Sequence, residues 1–193
     1  MRFRYQITIC LLFILAGLAL AYEPFIKKQP EAQTYVQSQT VQVLSESSET
    51  PVQTELIKGR PIKIEIPSLG INLSVIEGYY NSADKSWTLT NDKAQYAAIT
   101  PLANNQSGNT FIYGHRLPQV FGNLSKIKPG DSVKLYTENG HTFEYSFKSA
   151  RETNPQDSSL FRYQGPAILT LQTCSGLWDQ NRTLYSFELV RSS

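Results

Sequence analysis

From about Gly59 onward the sequence predicts an all-β domain, a small barrel or sandwich of seven or eight short strands in ~135 residues. Three observations carry this. Apolar and polar residues alternate strictly in several runs, beginning with Pro61-Ile62-Lys63-Ile64-Glu65-Ile66. Tyr (11) and Phe (9) are plentiful beside Thr, Ile and Val, a composition that fits a pleated, half-buried surface better than a helix. Turn chemistry punctuates the runs, as at Pro129-Gly130-Asp131 and at Asn139-Gly140, a strong two-residue hairpin signal. No internal repeat or heptad pattern competes.

The first strand turns at Pro67-Ser68-Leu69-Gly70 into a second, Ile71 to Ile76. A looser stretch offers Trp87 to Thr90 as a short strand and Lys93 to Ala98 as a helical turn. Gly108-Asn109-Thr110-Phe111-Ile112-Tyr113-Gly114-His115 is the next clear strand. Ser132 to Thr137 and His141 to Phe147 flank the Asn-Gly turn. A run from Ala167 ends on Cys174 before a Ser-Gly turn, and Thr183 to Val190 closes the domain.

Ahead of the domain, residues 1–22 read as a signal-anchor. Arg2 and Arg4 precede an apolar run from Ile7 to Ala21, broken only by Thr8 and Gly17. It is slightly shorter than the ~20 residues a spanning helix prefers, with Tyr5 and Tyr22 suited to the two interfaces. Ala19-Leu20-Ala21 also has the form of a signal-peptidase site. A retained membrane helix is the expectation, with the N-terminus cytoplasmic and the domain extracellular; a cleaved signal would export the domain as well. Residues 23–58 are rich in Gln, Ser, Thr and Glu and have few large apolar groups. They read as an extracytoplasmic stalk reaching ~30–36 Å as a flexible coil; a helix packed on the domain is the alternative. Residues 59–193 are then the globular part.

Charge is almost balanced, +2 from 18 Lys+Arg and 16 Asp+Glu, which gives no electrostatic pull toward nucleic acid. Two Cys and two His would suffice by count for zinc, but Cys10 lies in the apolar run, apart from the others. No metal and no cofactor is expected, and scattered carboxylates such as Glu77, Asp84, Asp92 and Glu138 make no legible calcium site.

Cys174 is thus the one cysteine of the globular part. A buried cysteine often simply fills a core gap. At the end of a strand, however, its direction is set by the pairing behind it, and a thiol there has a rigid base and access to solvent. His115 ends its own strand after Gly114. If the last two strands form a hairpin, Ser175 to Asn181 returns Arg182 to the same rim. Thiol, imidazole and guanidinium together suit acyl transfer: a thiolate nucleophile, a proton donor to the leaving amine, and donors to an oxyanion. His141, after the Asn-Gly turn, is the rival imidazole, and Arg116 the rival guanidinium. Arg182 could instead be a surface partner of Asp179 or Glu188, and the aromatic residues are read as core.

Leu169-Thr170-Leu171-Gln172-Thr173-Cys174, with Gly114-His115 upstream and Arg182 eight residues after the cysteine, resembles the sortase signature. Ile66-Pro67-Ser68-Leu69-Gly70-Ile71, Gly108-Asn109, Phe121-Gly122-Asn123-Leu124 and Lys128-Pro129-Gly130-Asp131 match in the same order, so the likeness runs from about Ile62 to Val190. It implies a closed β-barrel of about eight strands with short helices, working as a cysteine transpeptidase. His115 would be the general acid/base, Cys174 the nucleophile and Arg182 the oxyanion and substrate-positioning group. The substrates would be secreted proteins bearing a C-terminal Leu-Pro-x-Thr-Gly-like sorting signal. The acceptor would be an amine on a peptidoglycan precursor or a pilin lysine. A thioester conserves the free energy of the cleaved bond, so no nucleotide is called for, and no Walker-type loop is present.

The chain departs from the family at Thr100 to Ser107, which lacks a Pro-Gly before Gly108-Asn109. It shows no second apolar span at the C-terminus and no Asp-Pro-aromatic lid motif, which points away from a pilin-polymerising type. A cysteine hydrolase on the same fold, and a non-catalytic surface binding domain with an inert Cys174, are the alternatives.

Overall fold

The computed structural model describes residues 55–193; the expected membrane segment and all but the last residues of the expected stalk lie outside the described residues. Among the described residues no helix is long and apolar enough to cross a membrane.

Twelve strands follow in order: β1 (Lys58–Gly59), β2 (Pro61–Ile66), β3 (Ile71–Gly78), β4 (Tyr80–Asn81), β5 (Ser86–Trp87), β6 (Ala94–Ala97), β7 (Ala103–Asn104), β8 (Asn109–Tyr113), β9 (Ser132–Thr137), β10 (Thr142–Thr153), β11 (Ile168–Ser175) and β12 (Asn181–Ser192). Eight of them close a barrel in the order β10-β12-β11-β8-β6-β3-β2-β9. The expected all-β architecture is the one found, and closure decides for a barrel over a sandwich. Closing the sheet leaves no unpaired edge among these eight strands. Only short 3₁₀ turns interrupt the β structure, such as Pro67–Leu69, which ends on Gly70 with φ 64°.

One expectation is corrected. Lys93 to Ala98 holds not a helical turn but strand β6, parallel to β3 and antiparallel to β8. Its four residues are all buried. The local preference of Ala and Gln for helix is outweighed by having neighbours on both edges.

Alternation sorts the barrel into two faces. Leu169 and Leu171 of β11, Ile112 of β8 and Tyr185 and Phe187 of β12 point into the main core with Ile64, Leu135 and Phe143. Phe111 and Tyr113 of β8, Leu184 of β12 and Ala97 of β6 form a second cluster on the outer face. Leu169, Leu171, Ile112 and Phe187 are fully buried. Each such side chain contributes about 1.5–3 kcal/mol relative to exposure. Tyr96 reaches the Thr100 carbonyl, and its burial pushes its pKa up to about 12.

Two glycines permit close approaches that position the outer face. A Cβ at Gly78 would stand 2.0 Å from the Tyr113 hydroxyl, and one at Gly114 would stand 2.8 Å from a Val120 methyl. Gly114 lets the chain leave β8 against the buried Val120 and Phe121, and the Phe121 N–H donates to the His115 carbonyl at 3.1 Å.

Leu171 and Cys174 lie on the same strand but on opposite faces, and their substitutions should differ accordingly. Leu171→Ala is expected to cost about 2–5 kcal/mol, and Cys174→Ala less than about 1 kcal/mol. Urea unfolding of the two variants measures both.

Candidate active site

Because β11 is paired on both edges, two of the three sequence-selected residues face each other and the strand leading to the third runs alongside. On one edge β12 runs antiparallel with Cys174 directly opposite Arg182. On the other β8 runs parallel, with Gln172 opposite Tyr113. The ladder continues past β8: the Gly114 N–H donates to the Gln172 carbonyl at 3.1 Å. The Thr173 hydroxyl donates to the Gly114 carbonyl at 3.0 Å. His115 is the next residue beyond that ladder. All three residues are half-buried, and Cys174 is a free thiol.

The rivals are placed elsewhere or otherwise engaged. His141 precedes β10, whose other end, Thr153, pairs with Arg182. Twelve residue steps of ~3.3 Å, a path of ~40 Å along the chain, separate His141 from Thr153, so His141 lies toward the other end of the barrel from Arg182. Arg116 pairs with the Asp179 carboxylate at 2.7 Å. Arg182 makes no ion pair with Asp179 or Glu188. One of its terminal nitrogens donates to the backbone carbonyls of Asp179 and Asn181, each at 2.9 Å. Glu188 pairs with Lys148.

Cys174, Gln172 and Arg182 share the outer face of the sheet with Phe111, Tyr113 and Gly114, and together they floor an open cleft of about 880 Å³. His115 stands one residue beyond Gly114. One wall is the β4–β5 hairpin with its flanks, Tyr79 to Leu89. Its turn is closed by Asp84, which accepts from the Ser86 N–H (3.1 Å) and hydroxyl (2.6 Å). The opposite wall is the β10–β11 connection, represented by Pro155 to Ser158 and Phe161.

Aromatic rings join floor to walls. Trp87 lies 5.2 Å from Tyr113 and 5.7 Å from Phe161, and Phe161 packs edge-on against Phe111 at 4.8 Å. Sequence reasoning assigned such residues to the core. That holds for Phe143, Tyr145 and Phe187 and for Tyr113, which is buried yet also borders the cleft, whereas Trp87 and Phe161 line it. Tyr113 and Phe111 alternate with the core residue Ile112, so the parity of β8 carried the signal. Trp87 and Phe161 carried none.

The second wall is pinned by Asp157. Its carboxylate accepts from the Ser159 N–H (2.9 Å) and the Thr153 hydroxyl (2.8 Å) and pairs with Arg151 at 2.8 Å. Hydrogen bonds from Ser159 foremost, with those from Thr153 and Arg151, hold its pKa far below the usual carboxylate range. The Asn109 side-chain amide donates to the Leu160 carbonyl at 3.0 Å, fastening the same segment to β8. Among the described residues no group of three or more His, Cys, Asp or Glu is arranged to hold a metal.

A closed eight-stranded barrel with a free thiol at one strand end, an arginine opposite it and a peptide-sized cleft beside it defines a barrel-type cysteine enzyme. A sortase-domain family model matches residues 64–189. The chain belongs to the sortase family, whose members are cysteine transpeptidases. Sortase A of Listeria monocytogenes serovar 1/2a is 26% identical over 196 residues, covering 86% of this chain and 83% of that one. The crystal structure of Listeria monocytogenes sortase A superposes with a TM-score of 0.57 at 23% identity, over 69% of this chain and 89% of that one. Streptococcus pneumoniae sortase C gives a TM-score of 0.57 at 22% identity, over 70% of each chain.

A carboxylate with a depressed folded pKa stabilises fully above its unfolded pKa of about 4, and that contribution fades as pH falls toward the folded value. Asp157→Asn should therefore lower the melting temperature at pH 7, with the gap to the wild type narrowing between pH 4 and pH 2. Thermal melts of both proteins across that range check the sign.

Proposed function

We propose that the chain is an extracytoplasmic sortase that cleaves a Leu-Pro-x-Thr-Gly-like sorting signal through a thioester on Cys174 and transfers the new carboxyl end to an amine. The acceptor is a peptidoglycan precursor or a pilin lysine, and residues 1–22 and 23–58 serve as anchor and stalk. The single observation that carries the chemistry is the pairing of Cys174 with Arg182 across β11 and β12, with β8 leading to His115 on the other edge. An extended peptide in the cleft would lay its scissile carbonyl over Cys174 with apolar side chains against Trp87, Tyr113 and Phe161, a fit between an apolar wall and the leucine and proline of such a signal.

In the first half-reaction the Cys174 thiolate attacks the carbonyl carbon. Nitrogens of the Arg182 guanidinium donate to the oxygen as it gains charge; its planar fork suits that role better than a lysine's point charge. His115, protonated, gives its proton to the departing amine, the C–N bond breaks, and a thioester remains. In the second, the acceptor amine loses a proton to neutral His115 as it attacks the thioester carbon. Collapse returns the thiolate and leaves a new amide. Proton and bond counts balance without a cofactor.

Intact-mass analysis of the protein incubated with a sorting peptide should show an adduct equal to the acyl fragment, absent in Cys174→Ala. Adding triglycine or a diamine should convert peptide to an amine-linked product; free acid in every case would identify a hydrolase instead. Arg182→Lys keeps the charge but loses the fork, and its kcat/KM should fall on the order of 10²-fold. Near-normal turnover in that variant would remove Arg182 from the oxyanion role.

A further inference from the structure

The cleft wall opposite the β4–β5 hairpin has little of its own to hold it in place. Residues 154–158 leave the end of β10 without a regular partner, and Pro155, Gln156 and Ser158 are exposed while lining the cleft. Besides the packing of Phe161 on Phe111 and Trp87, two polar ties fasten the segment. Beyond it, Leu160 is tied through its carbonyl to Asn109 on the floor. Within it, Asp157 is the only side chain that reaches back to β10, touching Thr153 and Arg151 while also holding the Ser159 N–H. Arg151 closes the ring by donating to the Ser159 hydroxyl at 3.1 Å. The Asp157 side chain is 14% exposed against 48% for Arg151, so the carboxylate sits inside the turn it organises.

Resting on the peptide-transfer reading above, we infer that Asp157 is a positioning residue for substrate: its clasp on Arg151, Thr153 and Ser159 keeps the Pro155–Ser158 wall in a binding-ready shape before any peptide arrives. A loop that must be ordered at the moment of binding weakens affinity by the cost of ordering it. A wall fixed beforehand avoids that cost. The residue acts through the wall and not on the reacting atoms, since its carboxylate is fully engaged by its own loop and by β10. Its loss should thus appear in substrate capture and leave the step at Cys174 intact.

The test uses the full chain with Asp157→Asn, which keeps an acceptor for the Ser159 N–H but loses the ion pair, and Asp157→Ala, which loses both. With a sorting peptide, KM should rise about tenfold for Asn, charge-assisted bonds being the stronger ones lost, and further for Ala, while kcat stays within twofold. In both variants amide hydrogen exchange should quicken more across residues 154–161 than in the barrel strands. A KM within twofold of wild type in Asp157→Ala, or a fall in kcat at constant KM, overturns the inference. So does unchanged exchange in 154–161. A wild-type protein that turns over no sorting peptide would overturn the transfer reading instead, and the exchange measurement would still decide the clasp on its own.

Discussion

Strand β11 is hydrogen-bonded along both edges, parallel to β8 and antiparallel to β12, and the candidate site depends on that double pairing. Register in a sheet is all-or-none with respect to face: a slip of one residue would send every side chain to the opposite side. Here Leu169 and Leu171 are sealed in the barrel, so a slip would expose them and bury Gln172 and Cys174. The core thereby enforces the direction of the thiol. The same constraint acts on β12, where Tyr185 and Phe187 point in while Leu184 and Arg182 point out. The facing of Cys174 and Arg182 across β11 and β12 is held by hydrophobic burial a few residues away.

The outer face is used because the inner one is full. An eight-stranded interior is small, and this one is filled with Ile, Leu, Phe and Tyr. Substrate must therefore bind outside, on a sheet surface that needs walls to become a cleft. The chain raises them from two excursions, the β4–β5 hairpin and the β10–β11 connection, and links them through Trp87, Phe111, Tyr113 and Phe161. Both excursions are stabilised by local carboxylates, Asp84 within its hairpin turn and Asp157 within its wall. An acceptor placed in a tight turn satisfies backbone N–H groups that no strand neighbour can reach.

Membership of the sortase family accords with this architecture of a closed barrel with excursions over one face. The relatives include proteins named sortase A and sortase C. The solved sortases superpose on this chain at TM-scores of 0.57, which shows a common fold. In this chain the aromatic wall and its clasp lie in the excursions from the barrel.

Much of the barrel was legible in the sequence, and so was the facing of Cys174 and Arg182 across one hairpin, since strict alternation and turn residues encode faces and ends locally. Gly114-His115, Thr173-Cys174 and Arg182 stood at strand ends, and chain connectivity alone could bring Cys174 and Arg182 to one rim. Strand β6 was not legible: Ala-Gln-Tyr-Ala favours helix in isolation and becomes a strand only between β3 and β8. The partner of Arg116 also needed three dimensions, because Asp179 lies 63 positions away in the chain. So did the exclusion of His141, which sits across the full length of β10 from the thiol. Local pattern determined which residues face which way; the tertiary structure decided which of them meet, since non-local pairing and the ion pairs it permits are set by closure of the barrel and not by neighbours in sequence.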